Sequence, residues 1–279
     1  MRTEIRGIPI SYRQAGAGRT VVLFSGWSLD GSFMAQHYEP IFKRRKGWRR
    51  IYPDMPGMGR TPGADWITSQ DDMLAVALEF IARVAPGERP VVVGASWGAY
   101  ICLGIAYHRA AGLDGLMLVV PAIHGDRTLR DLPPHQVLVA DPDLVATTTA
   151  GEEKWAEIAV VQSRESLAAY RETIEPALAL ANFPFLERVE QRYDFSFPAH
   201  RLPEPLAAPA LILAGRQDSM CGYRDGWPLL DQMPRATYAV LDRAGHALED
   251  EQRQLFEALT SELLDRVAGY AGLPRTKGS

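Results

Sequence analysis

The chain alternates between short runs of consecutive apolar residues and longer segments whose apolar residues recur at helical spacing. Strands are predicted at about 20–24, 49–54, 90–95, 114–120, 210–215 and 237–241. Runs such as 91–93 and 116–120 are apolar throughout, as strands buried on both faces require. Helical spacing lies between them at about 32–45, 69–85 and 97–110. An opening hairpin is predicted over residues 3–15, with its turn near Gly7. The alternation predicts an α/β fold, with a mostly parallel twisted sheet of about eight strands and helices on both faces.

The strand pattern stops after Pro121 and resumes at Ala210. Residues 123–203 contain no convincing strand, and prolines divide them into segments. Helices are predicted there at about 151–162, 163–180 and 183–193. We therefore predict a core domain of residues 1–122 and 204–279, and a helical cap of residues 123–203 inserted after the sixth strand. Such an insertion would lie over the carboxyl ends of the strands, where open α/β sheets bind ligands.

Composition narrows the class of protein without naming it. The chain has 279 residues and a net charge of −4, so its size suits one large domain with or without a lid. No dominant Lys/Arg cluster suggests nucleic-acid binding, and no apolar run is long enough to span a membrane. Without a signal-peptide pattern, a cytoplasmic setting is expected. The two cysteines suggest no disulfide framework, and the polar ending at 275–279 is expected to fray.

Residues 94–98 read Gly-Ala-Ser-Trp-Gly and lie between a strand-like run and a helical one. In that context G-x-S-x-G indicates a nucleophile elbow, a strained turn that presents the serine hydroxyl above the sheet. Ser96 is the predicted nucleophile, and the backbone N–H of Trp97 is a predicted oxyanion donor. The alternative is an ordinary glycine-rich turn with an exposed serine.

A base and an acid follow in the order that this chemistry requires. A serine is a weak nucleophile at neutral pH and needs an adjacent base. His246 follows the strand-like run at 237–241 and is the predicted acid/base. Asp218 follows the run at 210–215 and would orient the imidazole and stabilise its protonated form. Asp126 remains an alternative for the acid, whereas Asp242 is too near His246 along the chain.

The order Ser96, Asp218, His246 resembles that of the α/β-hydrolase fold superfamily. Residues 54–61, Asp-Met-Pro-Gly-Met-Gly-Arg-Thr, are similar to its D-x-P-G-x-G-x-S loop, whose role is structural. The resemblance covers residues 3 to 270, with 123–203 matching only as a variable insertion. It implies a serine hydrolase that cleaves a carboxylic ester or lactone through an acyl-enzyme, without cofactor or metal.

The resemblance also implies a second oxyanion donor in the loop after the third strand, residues 25–28, Ser-Gly-Trp-Ser. That donor would be the backbone N–H of Trp27. Ser25 stands where related hydrolases usually have histidine, which leaves open how firmly the loop is held. The loop lacks the proline and extra glycine of proline iminopeptidases and C–C bond hydrolases. It is more similar to the Gly-Trp-x-Leu form of pimeloyl-ester carboxylesterases. Ser96 itself differs from the aspartate nucleophile of epoxide hydrolases and haloalkane dehalogenases.

Four residues near these motifs are predicted to bind the substrate: Trp27, Trp97, Ser28 and Met220. The expected partner is a small, largely apolar ester or lactone, and the sequence does not indicate an oligomeric state. Two alternatives remain. One is an acyltransferase that uses the same three residues, and the other is a non-hydrolytic ligand-binding or lyase protein on the same scaffold.

Three further charged or polar residues are given structural roles. His37 is expected on the surface of its helix. Glu249 and Glu251 are expected to serve the N-terminal turn of the last helix, where negative charge is favourable.

Overall fold

The computed structural model describes residues 1–271, so the predicted frayed end at 275–279 lies outside the described residues. Within them, eight strands form one sheet in the order β1-β2-β4-β3-β5-β6-β7-β8. The strands are β1 (Arg2–Ile5), β2 (Ile8–Gly16), β3 (Arg19–Phe24), β4 (Trp48–Pro53), β5 (Val91–Ala95), β6 (Gly115–Val119), β7 (Ala210–Gly215) and β8 (Ala236–Leu241). Strands β3 to β8 are parallel, and the β1–β2 hairpin joins antiparallel at β4. The predicted fold class is confirmed.

Helices cover both faces of this sheet. They are α1 (Gly31–Lys43), α2 (Gln70–Val84), α3 (Trp97–Arg109), α4 (Pro142–Val145), α5 (Glu153–Ile158), α6 (Arg164–Ala169), α7 (Glu175–Leu180), α8 (Phe183–Glu190), α9 (Leu248–Glu251) and α10 (Arg253–Ala271). Within residues 1–271, none of them has the length and apolarity needed to cross a bilayer.

Strand β5 shows why the central strands β5, β6 and β7 are buried along their whole length. Val92 packs into the core with α2 and α3, whereas Val91 and Val93 pack into the core with α1 and α10. Alternate side chains of a strand point to opposite faces, so a strand covered on both sides needs apolar residues at every position.

The sheet order creates a switch point between β3 and β5. From β3 the chain crosses to β4 on one side, and from β5 it crosses to β6 on the other. In open α/β sheets, ligands bind at such a point, beyond the carboxyl ends of the strands. The loop after β3 and the turn after β5 are therefore brought together at one place.

Residues 123–203, the predicted cap, contain helices α4 to α8 and contribute no strand to the sheet. A π-helical turn over Tyr170–Ile174 joins α6 to α7, so the helix predicted at 163–180 is continuous but locally widened. The helix predicted at 183–193 spans Phe183–Glu190, and that predicted at 151–162 is reduced to α5. The sequence did not predict α4 or an isolated bridge between Val139 and Val161. These elements share a small apolar cluster that includes Trp155 and Tyr170.

Candidate active site

Ser96 occupies the turn between β5 and α3. Its φ of 54° and ψ of −115° lie in a region that is unfavourable for residues other than glycine. The neighbouring strand helps to hold the turn, because the N–H of Ser96 donates to the carbonyl of Val119 at 2.8 Å. Strained backbone of this kind is typical of functional sites.

Two glycines allow the turn to be this tight. A Cβ on Gly94 would lie 2.2 Å from the carbonyl carbon of Gly98, and a Cβ on Gly98 would lie 2.1 Å from the carbonyl oxygen of Phe24. Strand β5, helix α3 and the end of β3 are therefore in direct backbone contact, which only glycine permits.

The structure brings Ser96, His246 and Asp218 together from the ends of β5, β8 and β7. His246 Nε2 lies 3.0 Å from Ser96 Oγ. His246 Nδ1 lies 3.1 Å from one carboxylate oxygen of Asp218 and 3.2 Å from the other. This is the hydrogen-bonded chain that a serine nucleophile, a base and an orienting acid require.

Asp218 is fully buried, and the backbone fixes its orientation. Its Oδ1 accepts hydrogen bonds from the N–H groups of Met220 at 2.8 Å and Cys221 at 3.0 Å. Asp126, the alternative acid, instead accepts from the N–H of Thr128 at 2.8 Å and caps its own short turn. Of these two acids, Asp218 is therefore the one that contacts His246.

The environment of His246 favours its protonated form. Burial opposes protonation and is the largest single influence, but Asp218 and Cys221 together outweigh it, so the pKa of His246 is well above its usual value. Only the neutral imidazole can take a proton from Ser96. The pH dependence of any reaction at Ser96 should therefore report this shift.

Within residues 1–271, Asp218, Cys221 and His246 form the one cluster of three side chains with metal-ligating atoms close together, within 4.8 Å. Two of its three members already bond each other, and Asp218 also accepts two backbone N–H groups. The arrangement is thus accounted for by hydrogen bonding.

The loop after β3 is held by Ser25, the residue that replaces the usual histidine. Ser25 is fully buried, and its hydroxyl donates to the carbonyl of Leu29 at 2.8 Å. The N–H of Leu29 donates in turn to the carbonyl of Gly26 at 3.1 Å, which closes the loop around Trp27. Within residues 1–271 the backbone N–H groups of Trp27 and Trp97 donate no hydrogen bond, so both are available to a ligand.

A cavity of about 660 Å³ opens beside Ser96 and His246. Three of the residues predicted to bind the substrate, Trp27, Ser28 and Met220, line it. Helices α5, α7 and α8 contribute apolar side chains, Ile158, Leu178 and Phe183, and charged ones, Glu153, Lys154, Glu157 and Glu190.

Trp97 is the exception among the four predicted substrate-binding residues. Its side chain is fully buried in the core, its indole N–H donates to the Gln70 side chain at 2.8 Å, and it is absent from the cavity wall. Its ring packs edge to face on Trp27, with centroids 5.1 Å apart. The indole therefore supports Trp27 and does not line the cavity.

His37 lies inside the protein, so the prediction of a surface position is wrong. It is 2% exposed, its Nε2 lies 3.0 Å from Asp250, and its Nδ1 lies 2.8 Å from the carbonyl of Phe33. The sequence did contain the signal. Phe33, His37 and Ile41 are four residues apart and share the buried face of α1.

Glu251 joins the loop that carries His246 to the insertion. One carboxylate oxygen accepts from the N–H groups of Val160 at 2.6 Å and Val161 at 3.2 Å. The other accepts from the N–H of Gly245 at 2.6 Å. Glu249 and Glu251 do lie in the first turn of α9, directly before the last helix, but Glu251 bonds N–H groups outside that helix. Glu249 is buried at the cavity.

Comparison with known proteins identifies the class. The profile of the alpha/beta hydrolase family matches residues 21–259, so the chain belongs to this family. It is 26% identical to a 2-hydroxy-6-oxononadienedioate/2-hydroxy-6-oxononatrienedioate hydrolase of Paraburkholderia phymatum, over 94% of this chain and 92% of that protein. It is 22% identical to a pimeloyl-[acyl-carrier protein] methyl ester esterase of Vibrio campbellii, over 85% and 91%. Among solved structures, an alpha/beta superfamily hydrolase from Oenococcus oeni PSU-1 is similar, with a TM-score of 0.85, 25% identity, and 93% and 96% of the two chains covered.

Proposed function

We propose that this protein is a serine hydrolase that cleaves a carboxylic ester or lactone through an acyl-enzyme. The observation that carries the proposal is the hydrogen-bonded chain from Ser96 Oγ through His246 to Asp218. The available N–H groups of Trp27 and Trp97 beside the cavity support it.

Each group has one task in the reaction. Ser96 Oγ attacks the carbonyl carbon while His246 Nε2 takes its proton, and the N–H groups of Trp27 and Trp97 hold the oxyanion. His246 then protonates the leaving alcohol, which breaks the ester bond and leaves the acyl group on Ser96. Water attacks this acyl-enzyme with His246 as the base, and the acid product leaves. Asp218 keeps the imidazole in the required tautomer and stabilises its charged form.

Residues 123–203 serve in this proposal as a cap over residues 1–122 and 204–271. Their helices supply one wall of the cavity, and Glu251 bonds Val160 and Val161 to the loop of His246. The apolar cap side chains at that wall suit a small, largely apolar substrate.

The test is covalent labelling with a fluorophosphonate, followed by intact mass, together with hydrolysis of p-nitrophenyl esters from acetate to decanoate. The wild type should take up one adduct per chain and Ser96→Ala none, and turnover should fall on the order of a million-fold in the variant. Ser261→Ala, on the distant helix α10, is the matched serine control. Equal labelling of wild type and Ser96→Ala, or retention of most activity in that variant, would refute the mechanism.

A second candidate is hydrolysis of a 2-hydroxy-6-oxo dienoic acid, because a relative named for such a substrate matches nearly the whole chain. The loop at residues 25–29 argues against it, since this loop has neither the proline nor the extra glycine of C–C bond hydrolases. Turnover of a 2-hydroxy-6-oxo dienoate in preference to every ester and lactone tested would select this candidate.

A further inference from the structure

Glu249 lies one helical turn after His246, at the second position of α9. It is 2% exposed, yet it lines the cavity that also contains Ser96 and His246. A carboxyl group in this position can reach a molecule bound at Ser96 without being open to bulk solvent.

Within residues 1–271, Glu249 Oε1 is buried and has no hydrogen-bond partner. Glu251, two residues further on, accepts three backbone N–H groups. A buried polar atom without a partner lowers stability, and native proteins contain few of them. The contrast indicates that Glu249 is kept for a contact with something other than the fold.

Charged groups lie beside this carboxyl, and one of them, Asp250, also lines the cavity. The pair of His37 and Asp250 lies close enough to act on it electrostatically. Burial, the largest influence, raises the pKa of Glu249, and Asp250 acts in the same direction. The Glu249 backbone N–H, His37 and His246 oppose the rise without cancelling it. The choice of a ligand group is therefore made for both forms of a carboxyl group, the neutral acid and the carboxylate.

The chemistry of the ligand group follows from these two forms. An amine would require the carboxylate, and a carbonyl oxygen would require the acid. A hydroxyl group fits both, because it can accept a hydrogen bond from the acid and donate one to the carboxylate. Phe33 and Ile174 contribute apolar side chains to the cavity wall, and α9 contributes two acidic ones, Glu249 and Asp250. Asp250 already bonds His37, which leaves Glu249 as the acid of this pair with an oxygen that has no partner among residues 1–271.

We propose that Glu249 is a substrate-binding residue that recognises a hydroxyl group, so that the enzyme prefers hydroxy-substituted esters to their apolar counterparts. The inference rests on the proposed function and adds the substrate class. Sites built to bond a substrate hydroxyl strongly reject analogues that lack it. We expect kcat/KM to be about tenfold or more higher for a hydroxy ester than for its apolar counterpart. The preference is smallest if a water molecule bonds Glu249 when the apolar ester is bound.

The experiment uses two ester pairs in which a terminal methyl group is exchanged for a hydroxyl group. Propyl butanoate is compared with 2-hydroxyethyl butanoate for the alcohol part, and ethyl butanoate with ethyl 3-hydroxypropanoate for the acyl part. In the wild type, one pair should show the tenfold preference. Glu249→Met should lower that ratio about tenfold. Glu249→Gln, whose amide can still donate and accept hydrogen bonds, should lower it less.

Glu187→Met and Glu187→Gln, at an exposed position of α8, are the matched controls and should keep the wild-type ratio. The inference is overturned if the wild type and Glu249→Met show the same ratio within a factor of two in both pairs. Esters hydrolysed without such a ratio leave the proposed function intact.

If the wild type hydrolyses none of the four esters, the proposed function fails, and binding decides the inference. Titration calorimetry with the Ser96→Ala variant and its Glu249→Met derivative then compares the same esters. Tighter binding of one hydroxy ester that is lost on replacing Glu249 sustains the inference, whereas equal binding overturns it.

Discussion

Replacing Glu251 by glutamine tests whether this residue joins the insertion to the loop of His246. Three backbone N–H groups converge on its carboxylate, from Val160, Val161 and Gly245. A glutamine has only one carbonyl oxygen, so it can serve the two valines or Gly245, but its amide NH₂ group must face the remaining side. At least one buried N–H then loses its acceptor.

The size of the effect follows from this count. Burial raises the pKa of Glu251, and the three N–H groups oppose the rise without cancelling it, so the negative charge itself adds no net stability. Each bond is therefore given the strength of a hydrogen bond between neutral groups. Losing one bond, so that a buried N–H is left without an acceptor, lowers the free energy of unfolding by about 1–3 kcal/mol. If Gly245 is the group that loses its partner, the ring of His246 is less well placed, and kcat should fall by up to about 100-fold.

The assay is urea unfolding followed by tryptophan fluorescence, with kcat measured on the best ester. Glu249→Gln is the matched control, because it makes the same change two residues away where Oε1 has no partner to lose among residues 1–271. We expect Glu251→Gln to lower the free energy of unfolding by about 1–3 kcal/mol and Glu249→Gln not to lower it. Equal losses in the two variants would show that the three bonds do not join the two parts.

Three other perturbations have defined outcomes. Activity should rise with pH through a value above 6.5. Asp218→Asn should move that rise to lower pH, because it removes the carboxylate that raises the pKa of His246 while burial still lowers it, and should lower kcat about 10⁴-fold; an unmoved profile would contradict this. Gly98→Ala should cost about 1–3 kcal/mol in urea unfolding and slow labelling, since its Cβ would meet the Phe24 carbonyl; unchanged labelling would exclude it. The folded state raises the pKa of Glu249 above its usual 4.5, so wild-type stability should fall as pH rises past that value. The gain in free energy of unfolding of Glu249→Met over the wild type should therefore widen in urea titrations from about pH 4 to 7, and a constant difference would count against this.

The architecture and the proximity of Ser96, Asp218 and His246 could be predicted because they depend on local patterns. Each of the three residues follows an apolar run that becomes a strand of the parallel part of the sheet. Parallel strands present their carboxyl ends at one edge, so residues far apart in the chain meet there. Chain order and strand position together were enough to choose Ser96 and His246. The choice between Asp218 and Asp126 required the observed contact with His246.

Long-range packing decided the features that the sequence did not predict. The indole of Trp97 lies on the side of α3 that packs against α2, where Gln70 accepts its N–H. No local pattern specifies that partner. The position of Trp97 next to the nucleophile therefore predicts that its indole lines the cavity. The sequence did not predict how Ser25 holds its loop for the same reason, because the hydrogen bond from its hydroxyl to the carbonyl of Leu29 depends on how the loop closes.

The segment after His246 shows most clearly where sequence reasoning ends. Glu249 and Glu251 are identical residues two positions apart, and helix-end electrostatics suggests the same role for both. The fold separates them, because one turn of α9 directs Glu251 towards backbone N–H groups and leaves Glu249 in the cavity wall without a partner for Oε1 among residues 1–271. Glu251 stabilises the protein at the point where Glu249 lowers its stability. A protein tolerates such a loss beside its nucleophile when a ligand bonds the unpartnered group. For this reason, replacing Glu249 should lower the preference for hydroxy esters and raise the stability of the protein.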